Sequence, residues 1–222
     1  MSGLRAKQTV TTIDLLRHGE CEGGEIWRGH VDVALSHKGW QSMRRSVASL
    51  DDKQWDRIVS SPLQRCAEFA REVAEGNSIE LSLRQSFKEV NFGDWDGRPS
   101  KEVWREQKQQ VLEFFKDPQN FAPPNGESLA QLRERLIPAW QQLVEECKGE
   151  HVLLVQHGGT IRVLLGWLLN MPLEAVVRLD VPYASISRIR VFHSDDGTEP
   201  FPSLAFFNHG CDISPVVGDT DG

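Results

Sequence analysis

Two apolar stretches of this 222-residue chain each run into a histidine followed by glycine. The first reads Leu15-Leu16-Arg17-His18-Gly19-Glu20 and the second Leu154-Val155-Gln156-His157-Gly158-Gly159. Glycine lets the chain turn sharply and brings backbone N–H groups close to an anion, so two imidazoles delivered in this way suit phosphate. Arg17, Arg65 and Arg28 of the Trp27-Arg28-Gly29 stretch add guanidinium forks that match phosphate oxygens. A helix opening after Gly158 would point further N–H groups at the anion. Glu89 supplies a carboxylic acid able to protonate a leaving alcohol, and another negative group nearby would help it keep its proton. Asp94 and Asp96 compete with it for that role.

These side chains need a scaffold that brings them to one edge. Residues 10–16 are β-branched and aliphatic, and residues 56–60, 79–83, 151–156, 185–192 and 203–208 also read as strands. Between them, Trp40, Met43, Val47 and Leu50 keep helical spacing after a capping Ser36, and Leu63, Cys66, Ala67, Ala70 and Val73 do so after Pro62, with Arg65 in the first turn. Further helices are predicted from Pro99 to about Lys116, from Leu129 to Cys147 and over 159–169, and Pro172 opens a helical turn. Pro138 falls inside the second of these, where a missing N–H predicts a kink. Residues 87–98 form a loop rich in glycine and aspartate. Alternating strands and helices predict an α/β three-layer sandwich, a mostly parallel sheet flanked by helices, with ligands beyond the C-terminal strand ends. Residues 1–208 are expected to form a single domain and 209–222 an unstructured tail.

Composition narrows the partners. A net charge of -7 argues against a nucleic-acid surface, which needs clustered Lys and Arg. Four scattered cysteines without a paired spacing, and no histidine pair at helical spacing, argue against a metal cage. No stretch approaches a membrane span, and the N-terminal residues lack the apolar core of a signal peptide, so the cytoplasm is expected. His30, His37, His151, His193 and His209 are read as structural or solvent-facing, and Cys21 as inert. Trp27 and Trp95 fill the core or stack on a flat substrate base.

Over residues 10 to 193 the chain resembles the histidine phosphatase superfamily, also called phosphoglycerate mutase-like. Five blocks in order carry the resemblance: Arg17-His18-Gly19-Glu20, Ser60-Ser61-Pro62-Leu63-Gln64-Arg65, Glu89 to Gly97, Asn125-Gly126-Glu127-Ser128 and Gln156-His157-Gly158-Gly159. The resemblance implies that His18 is the nucleophile, that Arg17, Arg65 and His157 hold the phosphoryl group, and that Glu89 is the proton donor, with no cofactor. It is nearest to the α-ribazole phosphatase branch. Where many members carry Thr or Ser and then Asn after the first block, this chain has Cys21-Glu22-Gly23-Gly24-Glu25, so Arg28 or backbone N–H groups are expected to take over that phosphate contact.

The expected activity is therefore hydrolysis of a small phosphorylated metabolite, α-ribazole 5'-phosphate among them, by a monomer or homodimer. A phosphoglycerate mutase-type phosphotransferase is the alternative, separated by a substrate-carboxylate pocket and a lid for which no long insertion is present. A non-catalytic phospholigand-binding module is a third reading, disfavoured by the intact set of His18, Arg17, Arg65, Glu89 and His157.

Overall fold

The computed structural model describes residues 9–52, 54–194 and 198–210. Its centre is a six-stranded sheet in the order β3-β2-β4-β1-β5-β6, built from β1 (Thr9–Arg17), β2 (Arg57–Ser60), β3 (Leu81–Leu83), β4 (His151–Gln156), β5 (Ile186–His193) and β6 (Phe201–His209). The pairings from β3 to β1 are parallel and the two beyond β1 are antiparallel, matching the expected mostly parallel sheet.

Alternation along the strands sorts the helices into two layers. Ile13, Leu15, Val152 and Leu154 face α3 (Ser100–Lys116), α4 (Leu129–Glu146) and α5 (Gly158–Leu168). Leu16, Leu153 and Val155 face α1 (His37–Ala48) and α2 (Gln64–Asn77). β1 and β4 are buried on both faces, which is why they read as continuous apolar runs rather than alternating ones.

Local chemistry sets the helix starts. Ser36 accepts from Gly39 N at 3.0 Å, and Ser128 and Gln131 form a reciprocal capping box on α4. α2 borrows its cap from a distant loop, where Asp32 Oδ1 accepts from Gln64 N at 2.7 Å. α4 continues as one helix through Pro138, which lies on its exposed side where water can satisfy the freed carbonyl. The irregular helix is α3, at Gln107 (φ -130°, ψ 34°), whose side chain accepts from Trp95 Nε1 at 2.6 Å. His209, expected to begin an unstructured stretch, instead closes β6, and its ring meets Ser49 Oγ at 3.1 Å. Residues 211–222 lie outside the described ones.

Candidate active site

Parallel pairing aligns Arg17 with Gln156, so the next residue on each chain, His18 and His157, emerges at the same sheet edge. Their ring centroids are 5.2 Å apart. His18 is buried, and its Nδ1 sits 2.8 Å from the Gly19 carbonyl, an acceptor only, so Nδ1 carries the proton and Nε2 the lone pair. Burial, reinforced by Arg17 and Arg65, holds its pKa well below the ordinary histidine value. The imidazole is therefore neutral, the form a nucleophile needs. Cys21 Sγ lies 3.5 Å from the same Nδ1, and burial pushes its thiol pKa up, in keeping with an inert thiol.

The glycines serve the site through space more than through turning. A Cβ on Gly19 would come within 2.4 Å of the Gly39 carbonyl, so Gly19 lets the loop pass against the start of α1. A Cβ on Gly158 would lie 3.1 Å from Arg17 Nε and 3.2 Å from Arg162 Nη1, so its absence makes room for two guanidinium groups.

His157 and Arg65 stand behind His18. Arg65 Nε donates to His157 Nδ1 at 3.3 Å, which leaves His157 Nε2–H to donate to Ser61 Oγ at 2.7 Å. Burial, then Arg65 and His18, depresses the His157 pKa well below the ordinary value. Arg65 also donates to the Gly29 carbonyl at 2.6 Å and the Val31 carbonyl at 2.8 Å. It ties the 29–31 loop to the site, and both residues lie outside the cavity lining. Arg28 is likewise a brace in part: its Nη2 donates to the Glu22 and Gly24 carbonyls, holding the glycine-rich segment, while the residue lines the cavity.

Glu89 is buried and lines the same cavity. Its carboxyl accepts from Val90 N at 2.9 Å, Gly159 N at 2.9 Å and Thr160 N at 3.2 Å. The first free N–H groups of α5, expected to meet an anion, are thus taken by Glu89, a use of the positive helix end that fixes this carboxyl in place. Arg135 grips the loop behind it through the Ser86, Lys88 and Glu89 carbonyls and pairs with Glu127 at 2.6 Å. Asp96 accepts from Gly29, His30 and Val31 N–H groups, and Asp94 is bonded to Asn125, so both are structural and leave Glu89 as the carboxyl at the cavity.

The cavity has a volume of about 460 Å³. Its lining combines His18 and the cations Arg17, Arg28 and Arg162 with the aromatic side chains Trp27, Phe92, Phe114, Phe115 and Tyr183. Trp27 thus reaches the cavity, whereas Trp95 is fully buried behind it, 4.9 Å from Trp27 between ring centroids. Sequence reading missed Arg162 and Tyr183. Arg162 lies four residues after Gly158, one helical turn along the same face of α5, a signal that was available. Tyr183, the chain's single tyrosine, carries none; it stacks 4.0 Å from the Arg17 guanidinium. Among the described residues no three His, Cys, Asp or Glu side chains form a group able to hold a metal ion, and no helix is long and apolar enough to cross a membrane. A neutral imidazole, a cationic wall and a carboxyl around one cavity can together move a phosphoryl group.

Comparison with known proteins agrees with this geometry. The family model described as the histidine phosphatase superfamily (branch 1) matches residues 13–198. The chain is 28% identical over 196 residues to adenosylcobalamin/alpha-ribazole phosphatase of Salmonella typhimurium, covering 87% of this chain and 94% of that protein. It is 29% identical over 196 residues to a 2,3-bisphosphoglycerate-dependent phosphoglycerate mutase of Rhizobium etli, covering 82% and 91%. Among solved structures, mycobacterial glucosyl-3-phosphoglycerate phosphatase superposes with a TM-score of 0.79 at 26% identity, covering 90% of this chain and 99% of the other.

Proposed function

This chain belongs to the histidine phosphatase superfamily, branch 1, and from that premise we propose that it hydrolyses a small phosphate ester through a phosphohistidine on His18. The observation that carries the reading is the His18 tautomer: with Nδ1–H committed to the Gly19 carbonyl, the Nε2 lone pair is left for the cavity beside three guanidinium groups. Nε2 attacks phosphorus, the bond to the ester oxygen breaks, and Glu89 relays the proton of the monoanionic ester to that oxygen. Water then attacks the phosphohistidine, Glu89 relays a proton of that water to the phosphate, and the P–N bond breaks to return neutral His18. Arg17, Arg28 and Arg162 balance the charge on the transferring group, while Arg65 and His157 support His18 from behind. The steps as written need no metal or cofactor.

The aromatic walls favour an ester whose leaving group is flat and apolar on one face, and α-ribazole 5'-phosphate is of that kind. The likeness to a phosphoglycerate mutase keeps transfer to a second acid as the competing reading. Both core faces share one sheet, which supports a single domain over the described residues; the cytoplasm as its location and a monomer or homodimer as its assembly complete the proposal.

The deciding experiment measures phosphate release from 4-nitrophenyl phosphate with chelator present, for the native chain and His18→Ala, and then compares α-ribazole 5'-phosphate with 3-phosphoglycerate and 2,3-bisphosphoglycerate. Chelator-resistant release lost in His18→Ala, with α-ribazole 5'-phosphate preferred, is expected. Phosphoglycerate interconversion without net release would replace the reading by the mutase one. Phosphate binding without turnover would replace it by a binding module, and turnover surviving in His18→Ala would overturn the mechanism.

A further inference from the structure

Beside the cavity lies a row of buried polar groups that the mechanism does not use. Arg17 on β1 is flanked on one side by Gln156 of β4, its partner in register, and on the other by Ser185, whose carbonyl accepts from Arg17 N at 3.0 Å. Leu15 and Leu154, two residues earlier on β1 and β4, pack into the core cluster that holds α4 and α5. Strand alternation therefore turns Arg17 and Gln156 to that same face, under the start of α5.

Every other residue of the two strand ends finds its place in the core or the site, but this row does not close. Gln156 is fully buried, and neither its Oε1 nor its Nε2 has a partner among the described residues. Ser185 Oγ is in the same condition, and so is Arg17 Nε. The Arg17 Nη1 donates to the Val181 carbonyl and the guanidinium stacks on Tyr183, so the unused Nε–H is the donor nearest the backbone of the row. Buried polar groups left unmatched are costly, and a run of them beside one another calls for an explanation. The unmatched groups occupy neighbouring positions at three adjacent strand ends and are complementary: a charged N–H donor on Arg17, an amide oxygen on Gln156 and a hydroxyl oxygen on Ser185.

We propose that Gln156 is a positioning residue for Arg17: its Oε1 accepts from Arg17 Nε–H, directly or through one buried water, and turns the guanidinium fork onto the phosphoryl group when substrate enters. Ser185 Oγ steadies the same guanidinium from the opposite strand. This rests on the reading of the cavity as a phosphate site. Holding Nε–H from below leaves the Nη groups to the phosphoryl oxygens, which removes part of the ordering cost a free arginine would meet on binding. Gln156 itself lies outside the cavity lining, so its role runs through Arg17.

Gln156→Leu keeps the volume and removes both polar atoms. If Gln156 orients Arg17, KM for 4-nitrophenyl phosphate and the dissociation constant of orthovanadate, measured by calorimetry, each rise about ten-fold, kcat changes less, and the melting temperature stays level or rises because two unmatched groups are gone. Unchanged KM and vanadate affinity would overturn the proposal and leave Gln156 as an unpaired polar side chain. A double-mutant cycle with Arg17→Lys, which has no Nε–H fork, guards against a folding effect: Gln156→Leu adds no further loss of vanadate binding in that background, whereas additive losses would sink the coupling. Vanadate binding is read without turnover. A native chain that binds vanadate but hydrolyses nothing thus fails the catalytic reading alone, and this proposal still stands or falls on the cycle.

Discussion

Strand β1 carries two buried polar clusters only three residues apart, and they are built on opposite principles. At Asp14 the cluster is closed: Arg188 reaches both carboxylate oxygens at 2.7 and 3.0 Å, His151 and Trp55 Nε1 meet one of them at 2.9 Å each, and Arg188 continues to Asp52 at 2.6 Å. Burial alone would push the Asp14 pKa up, but the hydrogen bonds from His151, Arg188 and Trp55 together hold it below the ordinary carboxylate value. At Arg17 and His18 the cluster is open. Arginines crowd two neutral histidines, donors are left over, and the negative charge that would balance them has to arrive with a ligand. A strand can therefore bury charge for stability and for function side by side, and what separates the two is whether the protein supplies both signs.

The largest test of this contrast exchanges the two effects. His18→Ala is expected to lower kcat by about 10⁴-fold or more, with a change in stability at neutral pH that is small beside that of Arg188→Met, since the neutral imidazole carries no ion pair. Arg188→Met leaves Asp14 buried without its main partner and is expected to lower stability by about 3 kcal/mol or more, with kcat per folded molecule unchanged. Denaturant melts and active-site-normalised rates read both, and a large kcat loss in Arg188→Met at a temperature where it is folded would dissolve the distinction. Next in size is Glu89→Gln, where kcat on an alkyl phosphate should fall about 10²-fold and on 4-nitrophenyl phosphate far less, because nitrophenolate leaves without a proton. Equal losses on the two substrates would remove the proton-donor role.

Much of the open cluster was legible in the sequence and almost none of the closed one. His18, His157 and Arg17 follow apolar runs directly, so local pattern places them at strand ends, and Glu89 falls in a recognisable loop. Asp14 and Arg188, by contrast, meet across 174 positions of sequence through an antiparallel pairing that no local signal specifies, although His151 did prove structural. Within the site, residue types were readable but directions were not. Arg65 and His157 turned out to face each other, and Glu89 to occupy the α5 start, because those orientations depend on which partner each side chain finds in three dimensions. The irregularity of α3 at Gln107, which accepts a tertiary bond from Trp95, had no local signal for the same reason.

Gly159→Ala probes the carboxyl's seat more gently. A Cβ there would lie 2.4 Å from Glu89 Oε1 and 2.9 Å from Val90 Cγ2, so Glu89 must move by a fraction of an ångström. A kcat loss of about ten-fold is expected, larger for alkyl than for aryl phosphates, as for Glu89→Gln but smaller. A loss independent of the leaving group would instead place the damage in phosphate binding.

The smallest effect is the dependence of stability on pH, and its sign follows from the open cluster. His18 and His157 have folded pKa values well below the unfolded value of 6.5, so the unfolded chain binds protons that the folded chain refuses. Stability is then fully present above pH 6.5 and declines as pH falls from there toward the depressed folded values, with a slope of up to about 1.4 kcal/mol per pH unit for each histidine. The closed cluster behaves differently: Asp14 contributes stability above pH 3.8 and loses it only as pH falls through its lower folded value. Melting temperatures between pH 8 and pH 5 should therefore drop in the native chain and drop less in His18→Ala, while Arg188→Met lowers the whole curve. A native curve that is flat from pH 8 to pH 5 would mean that His18 and His157 are not held neutral by the fold, and the imidazole would have to be deprotonated by the arriving substrate instead.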